Sequence, residues 1–315
     1  REEVVAAMAP FGQATFGNPS STHRWGRSAF AALEGARAEI AGALGAKASR
    51  ARAQHAHSRD YPLPVRRGER IFPDKSKEDA VESLWEAIVN IVRVDQEDPI
   101  AAWDKHNATL KTARQVLNGK NYQKLIFNAP GTDLEMELPQ GHIWKGGSAE
   151  AETGVTFNPN IPTEEVFSMP HKYGVNGTVA STKPLNYGGS LIDNFSLTFK
   201  DGKVVDFKAE KGEEVLKHLL DSDEGARRLG EIALVPDESP ISQSGLVFYN
   251  TLFDENASCH IALGKAYPTN LEGGSKMSAE ELDKHGVNDS LIHVDFMIGS
   301  ADMNIDGVKA DGTTE

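Results

Sequence analysis

The sequence changes character near residue 70, and this change most restricts the folds that the chain can adopt. Residues 1–70 contain 10 Arg, 1 Lys and 6 acidic residues, a net charge of +5, and 13 of the first 50 residues are Ala. Residues 71–315 contain 4 Arg, 18 Lys and 40 acidic residues, a net charge of −18. Because the preferred basic residue and the sign of the charge both change at one point, we predict two unlike pieces.

The first piece is short and has a helical pattern. Between Ser28 and Leu44 apolar side chains recur every three to four residues, and Gly45 follows as a candidate C-cap. Residues 51–70 show no clear periodicity and contain two Pro and five Arg, as linkers often do. We therefore assign residues 1–50 to an N-terminal segment, 51–70 to a junction and 71–315 to the main domain.

The second piece begins with two predicted helices. Ser76 with Asp79 three residues later marks a helix N-terminus. A second helical pattern runs from Pro99 to Leu117 and includes Ile100 on its apolar side.

Strands dominate the rest of the second piece. Apolar and polar residues alternate in several short segments after Leu125, and Asp201-Gly202 separates two of them as a two-residue hairpin turn. Helical patterns interrupt the strands at 212–220 and 224–229, and 290–298 is strand-like. This order predicts a mixed α+β domain and not the regular alternation of a doubly wound sheet.

Composition excludes several classes of function. The single cysteine, Cys259, excludes an internal disulfide framework and a zinc site built from several thiolates. The net charge of −13 argues against nucleic acid as a partner. No apolar run approaches the roughly 18 residues that cross a bilayer, and the chain does not start like a signal peptide. We expect a cytoplasmic protein without a membrane partner.

The segment His293-Val294-Asp295 places two candidate metal ligands side by side. Alternate side chains of a strand point to the same face, so that the imidazole of His293 and the carboxylate of Asp295 project into one space. Taken alone, such a pair is more often a hydrogen-bonded pair at a sheet surface.

Three further candidates lie beside apolar runs, and each has an ordinary alternative. His260 could be a core histidine with its hydrogen bonds satisfied. Glu231 could be solvated at the start of a strand, and Glu164-Glu165 could occupy an exposed helix N-terminus, where acidic residues are favoured. Glu255 and Asn256, which precede His260, could likewise cap a turn.

Taken together, these residues favour a site for two metal ions. Three carboxylates and two neutral imidazoles carry a charge of about −3, which two divalent cations and one hydroxide would neutralise. Oxygen and imidazole ligands suit Zn, Co or Mn better than Ca or a metal that prefers thiolates. Buried acidic residues need partners of this kind.

Long motifs in the second piece resemble those of the bacterial dinuclear metalloaminopeptidases in the aminopeptidase T, aminopeptidase S and aminopeptidase II group. The similarity covers about residues 67–315. The motifs that carry it are, in chain order, Ile161-Pro162-Thr163-Glu164-Glu165-Val166-Phe167, Val175-Asn176-Gly177, Ser181-Thr182-Lys183-Pro184-Leu185, Leu229-Gly230-Glu231-Ile232-Ala233-Leu234-Val235-Pro236, Asn250-Thr251-Leu252-Phe253-Asp254-Glu255-Asn256-Ala257-Ser258-Cys259-His260 and His293-Val294-Asp295-Phe296-Met297-Ile298-Gly299-Ser300.

The resemblance implies a set of functional residues and a reaction. The implied ligands of two metal ions are Glu165, Glu231, His260, His293 and Asp295. Tyr267 corresponds to the active-site tyrosine of the family and could donate a hydrogen bond to an oxyanion. The implied reaction removes the N-terminal residue of peptides with a free amino group, and Glu231 could also handle the proton of the attacking water. The family further implies a homodimer.

The first 47 residues resemble the start of a cysteine desulfurase, through Gly17-Asn18-Pro19-Ser20-Ser21-Thr22-His23 among other matches. The motifs that would bind pyridoxal phosphate do not occur, so that we expect neither this cofactor nor desulfurase activity. The N-terminal α/β domain of the aminopeptidase group does not occur either. We therefore expect a fused or misjoined chain, and the alternative to an active aminopeptidase is an inactive fragment that binds metal.

Overall fold

A computed structural model describes residues 64–151 and 153–315. The predicted helix within 28–44, the desulfurase-like segment and most of the predicted junction lie outside these residues. The chain divides into two compact units, Arg1–Trp85 and Glu86–Glu315. All predicted site residues lie in the second unit. The domain bounds derived from composition stay a prediction.

Seven α-helices occur in the described residues, together with short 3-10 segments. The helices are α1 (Pro64–Ile71), α2 (Lys77–Ile91), α3 (Pro99–Lys120), α4 (Glu213–Leu220), α5 (Pro240–Ser244), α6 (Thr251–Asp254) and α7 (Ala279–Lys284). The predicted cap of α2 is confirmed, because the hydroxyl of Ser76 accepts a hydrogen bond from the backbone N–H of Asp79 at 3.2 Å. Asp98 caps α3 in the same way.

Thirteen strands occur in the same part of the chain. They are β1 (Lys124–Ala129), β2 (Thr132–Glu137), β3 (Ala149–Glu150), β4 (Thr156–Phe157), β5 (Val166–Ser168), β6 (Val175–Ala180), β7 (Leu185–Tyr187), β8 (Ser190–Lys200), β9 (Lys203–Lys211), β10 (Leu229–Leu234), β11 (His260–Gly264), β12 (His293–Met297) and β13 (Asn304–Val308). Mixed helices and sheets in this order confirm the predicted α+β class.

The strands form two larger antiparallel sheets. The first has the order β13-β1-β2-β6-β8-β7, with β9 also paired to β8, and the second has the order β12-β11-β10-β5. The predicted hairpin at Asp201-Gly202 joins β8 to β9, and both residues have the positive φ values, 51° and 75°, that such a turn requires. One apolar core contains side chains of both sheets, including Phe195 and Phe296, whose ring centroids are 5.1 Å apart.

The structure corrects three predictions. Residues 224–229 do not form a helix: Asp223 accepts a hydrogen bond from the backbone N–H of Ala226, but only a 3-10 turn of three residues follows and Leu229 already begins β10. The predicted junction ends in helix α1, whose first residue is a proline, a residue suited to a helix start. The side chain of Ile100 is 60% exposed and therefore does not belong to a buried face of α3.

No helix in the described parts of the chain combines the length and the apolar character that a membrane crossing needs.

Candidate metal centre

The four-stranded sheet presents its polar residues on one face. Glu231 in β10 and Asp295 in β12 both lie opposite Ala262 of the middle strand β11, and residues directly opposite in an antiparallel pair point to the same side. His260 lies two residues before Ala262, and His293 lies two before Asp295, so that both share this face. The small side chain of Ala262 leaves space between the two carboxylates.

All five predicted ligands converge in two overlapping groups. Ligand atoms of Glu165, Glu231 and His260 lie within 4.8 Å of one another, and so do those of Glu231, His293 and Asp295. Glu165 is the residue immediately before β5, the edge strand that pairs with β10. Glu231 belongs to both groups, which makes it the central carboxylate of the cluster.

The structure contradicts the alternative explanations for Glu231, as a solvated residue, and for Glu165, as part of an exposed helix N-terminus. Glu231 is 5% exposed within a strand, and Glu165 is 7% exposed in an extended segment and not at a helix N-terminus. The two arginines near Glu231 in sequence point elsewhere, since Arg227 pairs with Asp221 and Arg228 donates to the carbonyl oxygen of Lys172. Within residues 68–151 and 153–315, the ion pairs of these carboxylates are formed with histidine alone.

The histidine tautomers fit a metal site. The Nδ1 atom of His260 lies 3.1 Å from the carbonyl oxygen of Ser258, and that of His293 lies 2.7 Å from the carbonyl oxygen of Lys265. A carbonyl oxygen only accepts, so both Nδ1 atoms must carry the proton, and each Nε2 atom faces the cluster with its lone pair when the ring is neutral. This orientation is the one that a metal ion requires.

Several buried acceptors in the cluster lack a hydrogen-bond donor. Glu165 Oε2, His260 Nε2 and Asp295 Oδ1 are inaccessible to water and have no hydrogen-bond partner. His260 Nε2 and Glu165 Oε2 are 2.9 Å apart. Two acceptor atoms at this distance need a proton or a cation between or beside them. The residues therefore fit a bound cation.

The pKa shifts express the same excess of negative charge. Burial, followed by the charges of Asp295 and Glu165, raises the pKa of Glu231 well above its ordinary value. Burial alone would lower the pKa of His260, but the carboxylate of Glu165, 2.9 Å away, together with that of Asp295 outweighs burial and the pKa is raised. Both shifts follow from carboxylates that lie close together in a buried cluster.

A fourth carboxyl group, that of Glu255, was missed as a site residue. It begins the 3-10 turn Glu255–Ala257 that follows α6, and its carboxyl group lies near that of Asp295. Burial and the charges of Asp295, Glu165 and Glu231 raise its pKa well above the ordinary value. The sequence signal for this role was its position in the acidic segment before His260, where turn capping was an equally good explanation.

Tyr267 lies at the more exposed side of the cluster. Its ring centroid is 4.7 Å from that of His293, and the residue is 43% exposed. His293 is also partly exposed, whereas His260 is fully buried. Burial and the charge of Glu231 raise the pKa of Tyr267 above its ordinary range, so that its hydroxyl keeps its proton at neutral pH. The cluster is therefore more accessible to solvent on the side of Tyr267 and His293 than on the side of His260.

A substitution at Gly230 tests whether this glycine positions Glu231. The pairing of β10 with β11 shifts between Leu229 and Glu231, and a Cβ at Gly230 would lie 2.3 Å from the carbonyl oxygen of Lys265. We expect Gly230→Ala to lower the unfolding free energy by about 1–3 kcal/mol, as overpacking typically does, and to weaken metal binding.

The matched control is Gly119→Ala, because a Cβ at that position in α3 meets nothing within 4 Å. Denaturant unfolding should show that this change is neutral or stabilises by about 0.5–1 kcal/mol. Equal effects of the two substitutions would contradict the role of Gly230.

Comparison with known proteins identifies similar sequences and structures. A family model described as thermophilic metalloprotease (M29) matches residues 53–315. Aminopeptidase 2 of Geobacillus stearothermophilus is 65% identical over 247 residues, which are 78% of this chain and 60% of that protein. Aminopeptidase AmpS of Bacillus subtilis (strain 168) is 55% identical over 246 residues, with the same two coverages. The chain thus spans about 60% of the length of these curated relatives.

The structural comparison agrees with the sequence comparison. The solved structure titled wild-type AmpT from Thermus thermophilus has a TM-score of 0.73 and 50% sequence identity, and the match covers 79% of this chain and 60% of that chain. Separately, the cysteine desulfurase IscS of Dictyoglomus turgidum is 55% identical over 47 residues, which are 15% of this chain and 12% of that protein.

Proposed function

This chain belongs to the thermophilic metalloprotease family M29, and we propose that it is a metal-dependent aminopeptidase. It would hydrolyse the N-terminal residue of peptides that have a free amino group. The observation that supports this most strongly is the convergence of two ligand groups that share Glu231. Similar proteins are named aminopeptidases, and this chain matches about 60% of their length.

We assign the metal ligands to the five converging residues. Glu165, Glu231 and His260 would hold one divalent ion, and Glu231, His293 and Asp295 would hold the other. The donor set suits Zn, Co or Mn. When bound, such ions polarise a carbonyl group and make water more acidic. Four carboxyl groups, with Glu255 included, are enough to balance the charge of two divalent ions.

Residues beside the ligands would complete the catalytic machinery. Glu255 lies outside both ligand groups but contacts Asp295. It is therefore the carboxyl group best placed to receive a proton from the attacking water, since a carboxylate that holds a metal is a poor base. The proton-accepting role that the resemblance implied for Glu231 stays a prediction. Tyr267, which keeps its proton, would donate a hydrogen bond to the developing oxyanion.

The alternative function is metal binding without turnover. The test is hydrolysis of a chromogenic leucine amide by the full chain, with Zn²⁺ or Co²⁺ added and with a chelator. We expect activity that depends on metal. Bound metal without any hydrolysis would favour the inactive alternative, and failure to bind metal would overturn both. Homodimerisation and a cytoplasmic location stay predictions, while the net charge of −13 supports a partner other than nucleic acid.

The role of Tyr267 has its own test. We expect Tyr267→Phe to lower kcat by roughly 10²-fold, the usual effect of removing one donor to an oxyanion, and to leave the metal content unchanged. Leucine amide kinetics and metal analysis measure the two quantities. The control is Tyr173→Phe, because Tyr173 is similarly exposed and packs beside Lys172 and Arg228. A normal kcat for Tyr267→Phe would remove Tyr267 from the mechanism.

A further inference from the structure

Glu164 and Glu165 are adjacent carboxylates with different surroundings. Glu165 faces His260 and the ligand cluster. Glu164 is 2% exposed and does not belong to either ligand group. A buried carboxylate next to a cluster that already has excess negative charge needs a compensating cation.

Arg93 supplies that cation. Its Nη1 and Nη2 atoms donate to the two carboxylate oxygens of Glu164 at 2.6 and 2.8 Å, which is a two-point contact. The guanidinium also lies 5.5 Å from the ring centroid of Trp103, whose indole N–H donates to the carbonyl oxygen of Val92. The ion pair is therefore held between the end of α2 and the start of α3.

A second contact links α3 to the same segment. The Nε2 atom of His106 lies 2.7 Å from the carbonyl oxygen of Thr163 and 3.6 Å from a carboxylate oxygen of Glu164. Trp103 packs edge-on against the ring of His106. Side chains of one helix thus hold both the backbone and the side chain of the two residues before Glu165.

Glu164 also joins this segment to the one that bears Glu255. The backbone N–H of Glu164 donates to Oδ1 of Asn256 at 2.7 Å, and Asn256 is 1% exposed. The side-chain amide of Asn256 donates to the carbonyl oxygen of Leu252 in α6. Glu164 and Asn256 are thus hydrogen-bonded to each other. Glu165 is the sequence neighbour of the first, and Glu255 is the sequence neighbour of the second.

We propose that the Arg93–Glu164 ion pair is a positioning device that sets the separation of Glu165 and Glu255 at the metal centre. It acts through the backbone and through Asn256, and it contributes no ligand. Because Arg93 pairs with Glu164, Glu165 is the one of these two adjacent carboxylates that is available to a metal. The inference rests on the proposed function, because it requires a metal at this cluster.

The test compares metal binding by the full chain and three variants. Glu164→Gln removes the charge at constant shape. Arg93→Lys keeps the charge but cannot make two parallel bonds to one carboxylate. The control Glu135→Gln removes a similar charge from the surface pair between Glu135 and Lys124 on β2 and β1, outside the cluster. Affinity is measured by competition between the protein and a chromophoric chelator for Zn²⁺ and Co²⁺, and the visible spectrum of bound Co²⁺ reports its coordination.

We expect Glu164→Gln to bind both ions about 10- to 100-fold more weakly, as is typical for residues that support metal ligands, with an altered Co²⁺ spectrum. Arg93→Lys should lose roughly 10-fold and keep an unfolding temperature near that of the parent. Glu135→Gln should match the parent in both measurements. If the ion pair only stabilises the fold, the folded variants should have the same Co²⁺ spectrum as the parent.

Parent-like affinity and spectrum in both variants would overturn the inference even if their unfolding temperatures fell. If Glu164→Gln does not fold, Arg93→Lys decides alone. If the parent chain binds neither ion, the proposed function fails and this inference fails with it. Metal-dependent hydrolysis by the parent, together with unchanged metal binding by both variants, would retain the proposed function and reject the positioning role.

Discussion

Replacing Glu231 with glutamine is expected to abolish aminopeptidase activity and to remove metal from both candidate sites. Glu231 belongs to both ligand groups, so that its loss weakens both at once. An amide has neither the charge nor the second strong acceptor oxygen of a carboxylate. Because changes to residues that merely support ligands cost about 10- to 100-fold, we expect the loss in kcat/KM to exceed roughly 10³-fold.

Metal analysis after dialysis and leucine amide kinetics measure the two effects of Glu231→Gln. The matched control is again Glu135→Gln, which makes the same chemical change at a half-exposed position on β2. Metal bound at parent stoichiometry by Glu231→Gln would show that Glu231 is not the shared ligand. Loss of metal from one site only would show that the two groups do not overlap as the geometry suggests.

Without metal, the stability of the folded protein is expected to fall as the pH rises from about 5 to 8. The pKa values of Glu231 and Glu255 are raised in the folded state, mainly by burial, so that the folded state binds more protons than the unfolded state above the ordinary carboxyl range. The stabilisation from these protons is present at low pH and is lost as the pH rises through the raised values. The raised pKa values of His260 and His293 act in the same direction.

Bound metal is expected to reverse this slope. Ligands must be deprotonated to hold a metal, so affinity grows with pH, and a metal at 100 times its dissociation constant stabilises the folded state by about 2.7 kcal/mol. Burial would raise the pKa of Asp295, but the contact with His293 at 3.3 Å and other nearby charges outweigh burial, so that the pKa is lowered. Its contribution to stability is lost only in more acidic solution, as the pH falls through that lowered value.

Thermal unfolding at pH 5.5 and 7.5, with chelator and with excess Zn²⁺, separates the two regimes. The chelated protein should unfold at the lower temperature at pH 7.5, and the Zn²⁺-loaded protein should gain most at that pH. A chelated protein that becomes more stable between pH 5.5 and 7.5 would show that the cluster does not store protons in the absence of metal. The variant Glu255→Gln should reduce the slope of the chelated protein.

Several local features could be predicted from sequence because they depend on neighbouring residues. The cap at Ser76 and the turn at Asp201-Gly202 are determined by backbone donors and φ values within a few positions. The shared face of His293 and Asp295 follows from strand alternation. The failed helix at 224–229 shows the limit of this method, since pairing with β11 and β5 converts Leu229 and the residues after it into a strand.

The residue types of the site, carboxylates and imidazoles beside apolar strands, and the family to which the chain belongs could be recognised from the sequence alone. Which of the acidic residues lie together depends on tertiary packing. Glu164 and Glu165 are equivalent by composition, yet Arg93, 71 positions away, pairs with Glu164 and leaves Glu165 facing His260. Glu255 joins the cluster because a turn places it against Asp295. Distances and burial between residues far apart in sequence arise from strand and helix packing, and no local pattern contains them.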